Sequence, residues 1–199
     1  ASMASSISMP CGVGGAKAQD YLRFLDRIRL QPPPAAVLLS VGRVAVEKNL
    51  PAFLDLDLPG SKVVIGSGPA LHALEGRYPD VHFLGVHTGE SLANLYASSD
   101  VFVFPSRSDT FGIVLLEALA SGLPVAAYNV TGPADVFSDG VGGVISDDLR
   151  EAALGALSVD RKAARQKALT YSWEACAGLF LAHCRSAHTT VSAAQRASA

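Results

Sequence analysis

The sequence predicts an α/β fold, a parallel sheet covered by helices on both faces. Two observations predict it. From residue 35 onward, short apolar runs alternate with helix-forming segments, with little chain between them. The runs are mostly apolar, as strands buried on both sides of a sheet are, and helices in between demand right-handed crossovers.

Each element has its own signal. Val37–Val41 is the first strand, and a helix follows from Asn49 to Leu56. Lys62–Ile65 and Ala70–Arg77 form the next strand and helix. Val81–Leu84 and Glu90–Ala97 form the third pair, with Leu92, Leu95 and Tyr96 on one helical face. Val101–Phe104 is β-branched and aromatic. The helix Gly112–Ala120 is closed by Gly122 and Pro124, and Val125–Tyr128 starts the fifth strand. Gly143–Ile145 is a sixth strand. Helices at Asp148–Leu157, Arg161–Thr170 and Trp173–Ala187 close the chain. Upstream, residues 1–34 form a poorly ordered, Ser- and Gly-rich tail with a short helix over Ala18–Leu30. The run Gln31-Pro-Pro-Pro34 ends that helix and sets the boundary of a domain spanning residues 35–190, followed by a disordered tail, 191–199.

Bulk properties narrow the function. In 199 residues, 49% are hydrophobic, 17% are charged and the net charge is −2, so the chain carries a real core and no electrostatic case for nucleic acid. The stretch from Arg161 onward is basic. It reads as a solvated helical face or, alternatively, as a surface for acidic lipid headgroups. Cys11, Cys176 and Cys184 are odd in number and lack CxxC spacing. They predict a reducing, cytoplasmic setting, with the cytoplasmic face of a membrane as the second location.

The organising stretch is Asp100–Tyr128, DVFVFPSRSDTFGIVLLEALASGLPVAAY. Glu117 is the only charged residue between Thr110 and Ala134, set among Leu115, Leu116, Ala118 and Leu119. A carboxylate there needs hydrogen-bond donors or a route to water. Asp109 stands eight positions earlier, in the loop that opens the helix, as a ligand contact or as an N-terminal cap. The helix's first-turn N–H groups lie between the two acids, a place for an anionic, hydroxyl-rich ligand. In the loop after the first strand, Arg43 and Lys48 suit a diphosphate; alternatively, Glu47 and Lys48 are ordinary exposed charges at a helix start. Gly66-Ser67-Gly68-Pro69 reads as a structural turn lining the cleft. The DxD pair Asp55 and Asp57 lies at a helix end, away from the strand carboxyl ends, and is set aside as a metal site. Cys176, His183 and Cys184 share a helix side with Trp173, Phe180 and Leu181 and read as a packed face.

The spacing of Asp109 and Glu117, enclosing Phe111-Gly112 and followed by LEALASGLPV, resembles the signature of retaining nucleotide-sugar glycosyltransferases of the GT-B fold, family 4. VGRVAVEKN at Val41–Asn49, IGSGP at Ile65–Pro69, VHFLG at Val81–Gly85 and YSWE at Tyr171–Glu174 extend the resemblance over about Leu38 to Phe180. The family's usual first acid is Glu, where this chain has Asp109. The resemblance implies a Rossmann-like sheet that is the C-terminal, donor-binding half of such an enzyme. It implies that Arg43 and Lys48 contact the donor's pyrophosphate, that Thr110, Phe111, Gly112 and Ile113 cap the distal phosphate through main-chain N–H groups, and that Glu117 accepts both ribose hydroxyls. Asp109 would receive hydroxyls of the sugar, and Leu84 and Gly85 the base. Transfer would retain configuration, with Asp109, Arg43 and Lys48 as the catalytic set, and would need no metal and no cofactor beyond the nucleotide sugar. The implied partner is an N-terminal acceptor-binding domain absent from this chain, without which activity is absent or very low. The competing reading is a stand-alone nucleotide-sugar binding or regulatory module.

Overall fold

The computed structural model describes residues 36–197, and the side chains of residues 36–185. The expected tail, helix and proline-rich connector of residues 1–34 lie outside the described residues. Six strands form one parallel sheet: β1 (Val37–Val41), β2 (Ser61–Ile65), β3 (His82–Phe83), β4 (Val101–Phe104), β5 (Val125–Tyr128) and β6 (Gly143–Ser146). Their order is β3-β2-β1-β4-β5-β6. The chain therefore builds outward from β1 to β3, then returns to the other side of β1 to build β4 to β6. Leu38 lies opposite Val101 where the two halves meet. At such a reversal the loops after the two central strands part and leave a crevice at their carboxyl ends.

Eight α-helices are described: α1 (Leu50–Leu54), α2 (Leu71–Arg77), α3 (Gly89–Ser98), α4 (Ile113–Ala120), α5 (Pro133–Phe137), α6 (Leu149–Ala156), α7 (Arg161–Leu169) and α8 (Trp173–Ala197). Alternation along the strands sends Leu38, Val64, Val101, Val103 and Ala126 into one core, covered by Phe53 of α1, Leu74 of α2 and Ala152 and Ala153 of α6. Phe102 and Phe104 alternate with these. Phe102 stacks on Tyr96 of α3, with ring centroids 5.7 Å apart, and Phe104 lies against Gly112, where α4 begins. Each fully buried side chain of this size contributes about 1.5–3 kcal/mol.

The basic stretch is woven into the fold. Arg161 donates to the Ser99 and Ala97 carbonyls at the end of α3 (2.6 and 2.8 Å), Arg165 to the Ala120 carbonyl at the end of α4, and Lys167 pairs with Asp139 at 2.5 Å. Cations at helix C-termini satisfy orphan carbonyls and oppose the helix dipole. Arg161, Arg165 and Lys167 are thus structural, unlike the solvated face expected.

Other departures have local causes. The first helix, Leu50–Leu54, ends two residues before the expected Leu56, and Asn49, at φ 53°, is its left-handed N-cap, which separates it from a 3-10 turn (Val46–Lys48). Asn tolerates this left-handed conformation. The short α5 was not anticipated; Pro133 sits in its first turn, where a missing N–H costs nothing. The sheet domain ends at Ala168, and the segment from Leu169 is a separate compact unit. Its helix α8 continues to Ala197, past the expected end at Ala187 and through most of the expected disordered tail, in a stretch rich in Ala. Trp173, Phe180 and Leu181 are exposed, as are Cys176 and Cys184, so among the described residues nothing packs on the face expected to be covered.

Candidate functional site

The loops after β1 and β4 border a cleft of about 680 Å³ at the reversal point. Two contacts tie them together across it. Asn49 Nδ2 donates to the Pro105 carbonyl at 3.1 Å, which explains why its backbone is held left-handed. Lys48 Nζ meets both carboxylate oxygens of Asp109, at 2.6 and 2.8 Å. The side chains are 29% and 25% exposed, so the pair is partly shielded and its attraction exceeds that of a surface pair. Asp109 therefore does not cap α4. Gly112 holds that position at φ 73°, and no side chain caps the helix. A Cβ on Gly112 would lie 3.2 Å from the Phe104 ring, so a glycine lets the helix start close to the end of β4.

The cleft lining brings together Arg43, Lys48, Asp109, Thr110, Phe111, Gly112 and Ile113. Neither cation is uncompensated, however. Arg43 pairs with Glu47 at 3.3 Å on an exposed turn, an interaction worth about 0–1 kcal/mol and easily surrendered. Ser106 Oγ, buried within the lining, has no hydrogen-bond partner among the described residues. A second cleft of about 480 Å³, bordered by Arg107, Asp109, Thr110, Asn129 and Thr131, adjoins the first, so Asp109 faces both. There the Arg107 guanidinium lies 3.7 Å from the centroid of the Tyr128 ring.

Leu84, Gly85 and Glu117 are not part of the first cleft's lining. Leu84 N donates to Val64 O, extending the sheet, and Gly66 N donates to Gly85 O. His87 reaches the Leu84 carbonyl at 3.2 Å and Ser91 Oγ at 2.8 Å. Glu117 lies one helical turn beyond Ile113, on the same side of α4. It is half-buried, and its Oε2 accepts from the Tyr96 hydroxyl at 3.0 Å. The acid does not simply reach for water: the protein supplies one donor.

The glycine turn after β2 works from beneath. Gly42 N donates to Ile65 O and Val44 N to Ser67 O, so the start of the cation loop rests on the β2 loop. A Cβ on Gly66 would lie 1.8 Å from the Gly42 carbonyl oxygen, and one on Gly68 2.2 Å from that of Val44. The turn is structural, as expected, but contrary to expectation it is not part of the cleft's lining: it supports the cation loop from below. Asp55 is engaged elsewhere, by Arg77 at 3.3 Å and by the Tyr78 hydroxyl at 2.6 Å.

A family model described as "Glycosyl transferases group 1" matches residues 35–159, more than half of the chain. The chain belongs to this family. Among relatives of this glycosyl transferase domain, the sulfoquinovosyl transferase SQD2 of Arabidopsis thaliana is 36% identical over 170 residues, covering 75% of this chain and 33% of that protein. A GDP-mannose-dependent alpha-mannosyltransferase of Corynebacterium glutamicum is 38% identical over 109 residues, covering 54% and 26%. The domain thus spans about a quarter to a third of these relatives. Sucrose-phosphate synthase of Thermosynechococcus elongatus superposes with a TM-score of 0.64 at 24% identity, over 92% of this chain and 52% of that one. Anabaena Alr3699/HepE, in a structure with UDP and glucose, gives 0.63 at 18% identity, over 87% and 53%. These likenesses place the sheet and its helices in the GT-B fold.

Three residues of the candidate site, Glu47, Asn49 and Tyr96, have contacts that the sequence does not show. Glu47 reads from sequence only as an exposed charge at a helix start, and Asn49 lies inside a motif with no part of its own; an Asn beside a helix start is the signal for a left-handed turn. Tyr96 had been placed on a helix face by its spacing, which reports the ring and says nothing of the hydroxyl.

Proposed function

We propose that this domain binds a nucleoside diphosphate sugar and serves as the donor half of a retaining, metal-independent glycosyltransferase. The observation that carries the reading is the meeting of Lys48 and Asp109 across the reversal point, at the opening of α4. An ammonium, an exposed guanidinium at Arg43 and the N–H groups of Thr110 to Ile113 suit a diphosphate. Asp109, which faces both clefts, takes hydroxyls of the sugar. Glu117 takes the ribose diol, and the main chain at Leu84 and Gly85 takes the base.

In transfer, the bond between the sugar's anomeric carbon and the phosphate oxygen breaks, and positive charge grows on the sugar ring. The electron pair leaves with the diphosphate, whose charge Arg43, Lys48 and the α4 terminus stabilise. The acceptor hydroxyl attacks from the same face, forms the new glycosidic bond and gives its proton to the departing phosphate. An acceptor-binding domain outside this chain supplies that hydroxyl, so the domain by itself is expected to bind donor without transferring it.

Calorimetric titration with UDP, GDP and their sugar conjugates, with EDTA present, tests the proposal. One or more nucleotides should bind, and Lys48→Ala should weaken binding about 10- to 100-fold, the loss of one charged hydrogen bond of about 1.5–3 kcal/mol. Binding that requires a divalent cation, or an unchanged Lys48→Ala, would overturn it.

Asp109 makes a second expectation. An incoming diphosphate competes with this carboxylate for the same ammonium. Asp109→Ala should therefore tighten a bare nucleoside diphosphate by about 3- to 10-fold, roughly 1 kcal/mol. The matching nucleotide sugar should gain nothing, because it loses the contact to its hydroxyls. Equal gains for both ligands would remove the sugar contact from Asp109.

A further inference from the structure

We propose that Tyr96 is a positioning residue for the Glu117 carboxylate, and that it thereby sets the preference of the donor site for ribonucleotides. The inference rests on the reading that Glu117 accepts the ribose hydroxyls.

Tyr96 is 2% exposed and is absent from the lining of the cleft, so it acts through its neighbour. Its hydroxyl reaches Glu117 Oε2 at 3.0 Å, and among the described residues it is the only side-chain donor to that carboxylate. Three features fix the direction of this hydroxyl. The ring is held against Phe102 of β4 at 5.7 Å, tilted by 60°. The end of α3 is pinned by Arg161 through the Ser99 and Ala97 carbonyls. Ser99 Oγ closes the same turn onto the Leu95 carbonyl at 2.8 Å. Burial first, and then the charge and hydrogen bond of Glu117, push the Tyr96 phenol well above its ordinary range, so it stays protonated and donates.

A glutamate on a helix has several accessible rotamers. A donor fixed on one oxygen selects among them and leaves Oε1 to accept from a ligand. Ionised carboxylates accept only, so two vicinal hydroxyls suit the remaining lone pairs, and a sugar lacking them finds no compensation for the acid's dehydration. The hydroxyl of Tyr96 thus converts a mobile charge into an aligned acceptor for a diol.

The test compares UDP and GDP with their 2′,3′-dideoxy forms in equilibrium binding to wild type, Tyr96→Phe, Glu117→Ala and the double variant. Wild type should favour the ribo form about 30-fold. Tyr96→Phe should hold the dideoxy affinity within twofold while the ribo affinity falls about five- to tenfold, and adding it to Glu117→Ala should change nothing further. Equal losses for ribo and dideoxy forms, or an unchanged preference, would reduce Tyr96 to a packing role and overturn the inference while leaving Glu117's assignment intact. A wild-type preference near one would overturn that assignment, and the inference with it. If Tyr96→Phe does not fold, Tyr96→Met, which also lacks a donor, is read in the same way.

Discussion

Replacing Glu117 by Ala should cut the affinity for a nucleoside diphosphate about 30- to 100-fold, the largest loss expected from any side chain of the site. Hydrogen bonds from two hydroxyls to one carboxylate contribute more than those to a neutral acceptor. After the exchange of water they leave a net effect of about 2–3 kcal/mol. The same change has a cost in the unliganded protein. It strands the Tyr96 hydroxyl, 2% exposed, without its acceptor, and an unmet buried donor costs about 1–3 kcal/mol. The melting temperature of Glu117→Ala should therefore fall along with affinity. Glu117→Gln separates the two effects. It keeps an oxygen for Tyr96 and restores most of the stability, yet an amide is a weaker and half-donating partner for a diol. Nucleotide titration beside thermal unfolding of both variants checks this. Full affinity in Glu117→Ala would sink the ribose assignment.

For stability, the largest effect is expected at Gly66. Its φ of 138° is strained for any residue with a side chain, and an added Cβ would sit 1.8 Å from the Gly42 carbonyl oxygen. That oxygen belongs to backbone already bonded to the end of β2, through Gly42 N to Ile65 O at 3.0 Å, so it has little freedom to retreat. Gly66→Ala should destabilise by about 4 kcal/mol or more, at the top of the range for single substitutions. Gly76 is the internal control. It lies within α2 with nothing near its Cβ position, and Gly76→Ala should stabilise by about 0.5–1 kcal/mol. Denaturant midpoints for both variants decide it. A Gly66→Ala protein as stable as wild type would mean that the two loops do not rest on one another.

The parts of this molecule that the sequence displays are those governed by local rules. Val37–Val41, Val101–Phe104 and Val125–Tyr128 are found where their apolar runs put them, the first with only the buried Ser40 interrupting it, because a strand buried on both faces has few polar positions to blur its limits. β3 shrank to His82–Phe83 because it lies at the sheet's edge, paired on one side only. That Arg43, Lys48 and Asp109 share one cleft was implied by their loops after strands and by the motif resemblance, whereas the strand order that brings those loops together was not legible. What stayed hidden was pairing at a distance. No local pattern announces that Lys48 spends its charge on a residue 61 positions away, that Arg161 caps a helix 62 positions earlier, or that a tyrosine at core spacing aims its hydroxyl at Glu117. Such partners are chosen by the topology, after the segments have formed.

The two ion pairs at the mouth of the cleft, Arg43 with Glu47 and Lys48 with Asp109, place two positive and two negative charges within a single turn and its neighbour. From afar their fields largely cancel, so a diphosphate drifting past is offered no long-range guidance. On the proposed donor reading, capture would begin at contact, with phosphate oxygens replacing carboxylates around cations that already have company. Binding would then be an exchange of anions, and ionic strength should bear on it far less than on a bare basic pocket.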